Sequence, residues 1–493
     1  MTVSGDDKLR VMTRRTDFRC MRPLSLAAAL ALVLAGCSSA PQPRPQPQAA
    51  PVSQSVKATP VIPYVDSAQQ TAAHWVARLD GPDRPMLDAA AIDAQNARLL
   101  AEDPSIHDLR TQPAQLPGNE VKAMVGKLSK PPTRTLYDVT GHEITAATLQ
   151  GWQRDAAIDA IPASVTVRHA LVTERADLRS FPTATRVFSR VGDTDIDRFQ
   201  ESALFPGMPV LVLHESRDRD WVFVMSQRYA AWMRRDHLAI GSADVVFGYA
   251  DQQPWLVVTG PRVETVYTPE QPQLSRLSLD MGTRVPLLTD WPRDKPVNGQ
   301  LPAGAYVIEL PLRGKDGRLQ LAPALLTKSV DVATDYLPLT PRQLLGQGFK
   351  FLGERYGWGH SYDARDCSGF VSEVYAGFGV QMPRNTSDQG KSPAFNALEV
   401  PASMTREERM AMVKTLAPGD LIYIPGHVMM VVGHEGGLTY VIHDTPGVRY
   451  RDADGTSTHY PLNAVSVTPL EPLQSGEDAL YIDKIYSIQR MRR

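Results

Sequence analysis

Cysteine is scarce in this 493-residue chain: only Cys20, Cys37 and Cys367 occur. Thiols so widely spaced build no disulfide framework, and without a CxxC pair or an HExxH they suggest no zinc site. A surplus of charge is also lacking. The net charge is -2 at pH 7, so no global basic field attracts nucleic acid. Hydrophobic residues make up 43% and charged residues 22%, an ordinary mix for soluble globular domains. The length suggests about three domains of ~150 residues. Proline is plentiful at 40 residues, many of them within the first 65 positions and in short loops.

The N-terminus accounts for two of the cysteines. Arg10, Arg14, Arg15, Arg19 and Arg22 precede an apolar run from Leu24 to Leu34, far shorter than the ~20 residues of a spanning helix. Basic residues, a short apolar stretch and small residues before a cut form a secretory signal over 1–36. If Met21 is the start, Cys20 is not in the protein. Leu34-Ala35-Gly36-Cys37 resembles the lipobox of bacterial lipoproteins. That resemblance implies lipidation at Cys37 and a periplasm-facing outer-membrane location, since Ser38 follows in place of an inner-membrane aspartate. The membrane is then a partner through the lipid anchor alone.

Residues 37–63 are rich in Pro, Gln, Ser and Ala and read as an extended tether. A helical module is expected over 64–163. There Ala72, Trp75, Val76 and Leu79 share one helix face, and further helices fall near 87–101 and 119–128. Short β-rich runs separated by turns follow. They place one SH3-like barrel at 164–240 and a second at 241–333. The segment 221–239 resembles the end of a bacterial SH3-like domain. From 334 to 493 the order changes to helices at 340–356 and 367–378, then strands at 420–424, 427–433 and 438–443. Helices ahead of antiparallel strands give an α+β domain. The whole chain is therefore expected to be multi-domain.

Chemistry concentrates in that last segment. Apolar Phe370, Val371, Val374, Tyr375 and Phe378 recur at helical spacing behind Cys367, placing the thiol at a helix N-terminus. Orphan N–H groups and the helix dipole favour a nucleophilic thiolate there. A buried structural cysteine is the bland alternative, weakened by its polar neighbours Asp366 and Ser368. His427 opens an apolar strand after the turn Ile424-Pro425-Gly426 and can serve as base. His443 ends the next apolar run and can orient it.

Together these residues resemble the NlpC/P60 family of cell-wall cysteine peptidases. The shared pattern is Tyr356-Gly357-Trp358-Gly359, Asp366-Cys367-Ser368-Gly369-Phe370-Val371, Met382-Pro383-Arg384, Ser387, Gln389, Pro418-Gly419-Asp420-Leu421, His427-Val428 and Ile442-His443. The departures are His360 in place of a second glycine, a longer segment at 391–416, and bulky Met429 and Met430. The resemblance implies a papain-like α+β fold, a Cys367–His427–His443 triad, and no cofactor. It places Tyr356 and Trp358 beside the oxyanion and substrate, with Asp366, Ser368 and Ser387 binding a substrate amine. It also implies a barrel covering one end of the groove, with Phe199, Tyr229 and Trp232 as aromatic candidates for that contact. The activity implied is cleavage of γ-D-glutamyl-diamino acid bonds in peptidoglycan stem peptides. An amidase or acyltransferase on the same scaffold, or a non-catalytic wall-binding lipoprotein, are the alternatives.

Overall fold

A computed structural model describes residues 62–452, 454–476 and 478–492. Cys37, the tether and Cys20 lie outside them. The described chain forms one compact unit in which two barrels and an α+β domain share a polar seam.

The N-terminal helices have no core of their own. Thr71, Asp88 and Thr145 cap the helices Ala72–Val76, Ala89–Glu102 and Ala146–Asp155 through their side-chain oxygens. Trp75, on the apolar face expected from the sequence, packs against the C-terminal sheet, not against a barrel. Its indole lies 5.0 Å from the Tyr440 ring and bonds the Gln69 carbonyl. Gly433 leaves it room: a Cβ there would meet the indole at 2.7 Å. The helix Gly118–Leu128 instead sends Val121 and Val125 into the core of the first barrel, beside Phe223 and Trp232. The helical segment thus staples the last domain to the first barrel.

The first barrel is a seven-stranded antiparallel sheet. Its order is 200–204, 176–179, 230–234, 221–225, 209–215, 168–172 and 238–241. A helix missing from the sequence reading, Ala243–Asp251, follows and is capped by Ser242. The second barrel combines three small sheets, including a hairpin of nine-residue strands, Ala305–Arg313 against Leu319–Thr327.

The C-terminal domain packs the helices Pro341–Phe349 and Cys367–Ala376 on a six-stranded antiparallel sheet. The strand order is 396–399, 487–490, 421–424, 427–435, 438–445 and 464–469. Phe370, Val371 and Val374 bury the inner face of the cysteine helix against Val428, Met430 and Val441. That packing fixes the helix N-terminus over the mouths of the two central strands.

Candidate active site

Cys367 is the first residue of its helix. Asp366 caps that helix by accepting the Gly369 N–H at 2.8 Å. The sulfur lies 3.7 Å from the Thr386 hydroxyl and accepts the Val428 N–H from the facing strand. His427, the residue before Val428, bonds His443 from Nε2 to Nδ1 at 2.7 Å. His443 Nε2 in turn lies 3.0 Å from the Thr468 hydroxyl. These contacts are compatible with a tautomer pair that leaves a free base. If Thr468 accepts from His443 Nε2–H, then His443 Nδ1 accepts from His427 Nε2–H. His427 Nδ1 is thereby left as an unprotonated base.

Electrostatics differ from the sequence expectation of a thiolate. Burial, and then the Asp366 carboxylate, push the thiol up to about 12. Burial pulls the His427 imidazole down to about 4. The helix N-terminus and the Val428 N–H favour the thiolate, but desolvation outweighs them. These shifts favour a neutral resting pair, from which the proton leaves the sulfur as it attacks.

Asp366 and Ser368, expected at a substrate amine, are already engaged. The Asp366 carboxylate accepts from Gly359 N–H, Gly369 N–H, the Ser368 hydroxyl and both terminal nitrogens of Arg384. Burial raises its pKa, yet Arg384 and His360 outweigh this and hold the carboxyl below the usual carboxylate range. Ser368 also accepts from Arg384 at 2.9 Å. Ser387, exposed on the helix Thr386–Lys391, makes only a long bond, donating to Asp388 at 3.5 Å. Tyr356 is buried close enough to Cys367 and Asp366 for their charges to raise its phenol further, after burial itself. The Trp358 indole donates to the Gln200 carbonyl at 3.1 Å, so it docks the first barrel.

His360 fills the place of the expected glycine and bridges Glu373 and Arg384 at 2.8 and 3.1 Å. It presses on Gly369, where a Cβ would meet the imidazole at 2.6 Å, so only glycine fits there. Arg365, just before Asp366, is fully buried and bonds Glu354, Glu373 and, across the seam, Asp280 of the second barrel. Arg175 of the first barrel and Arg262 of the second also approach Asp280, at 3.4 and 3.7 Å. Both barrels are therefore wired to the loop that presents the thiol.

The barrel contributes directly at the strand Gln200–Leu204. Ser202 accepts from Arg384 at 2.7 Å, and Gln200 donates to the Gly359 carbonyl at 3.0 Å. Glu201, between them, accepts the Tyr229 hydroxyl at 2.5 Å. Burial raises its carboxyl against the pull of Tyr229 and Arg384. Phe199 and Trp232 are core residues: Phe199 packs on Phe181 and Trp152, and Trp232 bonds Ser129. Of the three aromatic candidates, Tyr229 alone sits beside the catalytic domain. Thr386, Thr468 and Glu201 escaped the sequence reading. No local motif marks them, because tertiary packing alone brings them to the site.

Comparisons with known proteins bear on the domains and their fold. The NlpC/P60 family model matches residues 353–465, and an SH3 domain model of the SH3b1 type matches 186–234. A γ-D-glutamyl-L-lysine dipeptidyl-peptidase from Bacillus cereus is 26% identical over 311 residues, covering 60% of this chain and 78% of the relative. A solved NlpC/P60 endopeptidase from Photobacterium damselae subsp. piscicida shares the fold. It is 16% identical with a TM-score of 0.68, covering 85% of this chain and 97% of that one. The chain therefore carries a C-terminal NlpC/P60 peptidase-family domain behind an SH3b domain.

Proposed function

We propose that the protein is a peptidoglycan hydrolase, a cysteine peptidase that cuts the γ-D-glutamyl-diamino acid bond of stem peptides. The observation that carries this reading is the chain of bonds from Thr468 through His443 to His427, beside a thiol at a helix N-terminus. The Bacillus cereus relative, named for γ-D-glutamyl-L-lysine, supports the bond class. Cys367 Sγ adds to the γ-carbonyl carbon of D-glutamate while His427 Nδ1 takes the thiol proton. The C–N bond then breaks, and the same proton passes to the departing amine of the diamino acid. Water attacks the thioester, gives its proton to His427, and the thiol is restored. Tyr356 and the backbone N–H groups at the helix start are the donors available to the oxyanion. Mass spectrometry of muropeptides treated with the purified chain tests the reading. New termini at D-glutamate and at the diamino acid are expected, and cleavage confined to the sugar–lactyl amide would replace it with an amidase.

We further infer that a free amino terminus is preferred. With Asp366 saturated by five donors, the carboxylate suited to an ammonium is Glu201. Losing one charge-assisted hydrogen bond costs ~1.5–3 kcal/mol, so kcat/KM should fall about ten- to a hundredfold for a substrate acetylated at its amine. Glu201→Gln should lower turnover of the free peptide and narrow that gap. Equal rates on free and acetylated peptides would remove Glu201 from recognition.

The location belongs to the same proposal: an exported, periplasm-facing outer-membrane lipoprotein anchored at Cys37. Metabolic labelling with a fatty acid should mark the wild type and not Cys37→Ala. Equal labelling of both, or of neither, would dismiss the anchor.

A further inference from the structure

Between its last two strands, 464–469 and 487–490, the chain runs past the active site and forms the short helix Tyr481–Lys484. Tyr481 lies well beyond the last family motif, Ile442-His443. Its ring stands edge-on to His427, with centroids 6.3 Å apart. It is close enough to Cys367 for the sulfur's charge to raise its phenol further, after burial itself. The same segment also reaches the sulfur's other neighbour. The Tyr486 hydroxyl donates to the Thr386 carbonyl at 3.4 Å, and the Thr386 hydroxyl is the one that lies 3.7 Å from Cys367. Tyr481 is half-buried, and its hydroxyl, which bonds no described residue, reaches solvent. An aromatic ring with one open edge beside the base is a wall for whatever leaves past that base.

Two arginines hold this wall, and both come from 391–416, the stretch that is longer here than in the family pattern. Thr405 caps its helix, Arg406–Val413, by accepting the Glu408 N–H. Arg406 grips both oxygens of Asp483, at 2.8 and 2.7 Å. Asp483 also accepts the Leu480 N–H at 2.8 Å, so the fork fixes the backbone on both sides of Tyr481. An exposed ion pair alone holds little. Arg409, which is buried, adds the stronger tie. It donates to the Ile485 carbonyl at 2.5 Å and to the Pro401 and Met404 carbonyls of its own stretch, both at 2.9 Å. The barrel residues Ser202 and Glu201 gather instead around Arg384, the partner of Asp366.

We propose that Tyr481 lines the subsite of the departing diamino acid and packs on the aliphatic stem of its side chain, and that the inserted segment positions it there. The inference rests on the peptidase reading, in which the leaving amine takes its proton from His427, so the residue carrying that amine passes beside this ring. The test compares kcat/KM on L-Ala-γ-D-Glu-L-Lys and L-Ala-γ-D-Glu-L-Ala, which share the acyl half and differ in the leaving residue. The wild type should prefer the lysine peptide about tenfold, the effect of roughly two methylenes buried on the ring. Tyr481→Phe should keep that preference. Tyr481→Ala should bring the ratio near one by slowing the lysine peptide alone, and Arg406→Ala should narrow it at least twofold. A structural role alone would slow both peptides together. Equal losses on both peptides in Tyr481→Ala, or no preference in the wild type, would overturn the subsite, and an unchanged ratio in Arg406→Ala would overturn the positioning by the inserted segment. If the wild type cleaves neither peptide, the peptidase reading itself falls and the subsite with it. If Tyr481→Ala does not fold, Tyr481→Gln, which keeps length without the ring, takes its place with the same expected outcomes.

Discussion

Cys367→Ala is expected to abolish hydrolysis of a stem peptide while leaving the fold nearly intact. Removing the nucleophile of a coupled triad costs about a millionfold in kcat, because the base and its orienting partner then have nothing to activate. The fold should tolerate the change. The sulfur's polar contacts are the Thr386 hydroxyl at 3.7 Å and the Val428 N–H, and the helix keeps its Asp366 cap. His427→Ala should be similarly inactive. His443→Gln should retain part of the activity, since an amide can still accept from His427 Nε2–H and donate to Thr468. Progress curves with purified free tripeptide, alongside circular dichroism melts, separate loss of chemistry from loss of structure. Turnover by Cys367→Ala within a hundredfold of wild type would remove Cys367 from the reaction.

What the sequence made legible here follows the range of each interaction. Cys367, Asp366 and Gly369 are neighbours on one helix turn, so a cap, a nucleophile and a required glycine show as a short motif. His427 and His443 open and close apolar runs that pair as adjacent strands, a period-two pattern readable without coordinates. The engagement of Asp366 was not readable, because Arg384 reaches it from another loop. Nor was the division of the helical segment between two cores. Trp75 and Val121 both sit on apolar faces, and periodicity shows that a face is buried without naming its partner. The thiolate expectation shows the same limit. The helix N-terminus is visible in sequence, whereas the burial that outweighs it is a tertiary property.

That reversal leads to a sharp expectation: the resting thiol of Cys367 is protonated at neutral pH. With its pKa pushed up to about 12, about one molecule in 10⁵ carries the thiolate at pH 7. Alkylation of Cys367 by iodoacetamide, read at its own peptide by mass spectrometry, should therefore rise about tenfold per pH unit from pH 6 to pH 10. A resting thiolate–imidazolium pair would instead alkylate at a rate already level by pH 6, and such a plateau would refute the neutral pair. The base gives a second readout. His427 is held near 4, below the ~6.5 of an unfolded histidine. Its contribution to stability is therefore present above pH 6.5 and is lost as pH falls towards 4, because the unfolded chain takes up a proton that the folded site refuses. About 2.5 pKa units at 1.36 kcal/mol each correspond to roughly 3 kcal/mol. Other buried groups titrate too: His360 and His443 are held low, while burial raises Asp444. The informative quantity is thus the difference between wild type and His427→Gln, whose amide can still donate to His443. Denaturant unfolding of both proteins at pH 7 and pH 4 should show the wild type losing roughly 3 kcal/mol more than the variant. Parallel losses would mean that His427 reaches water and is already protonated near its ordinary pKa.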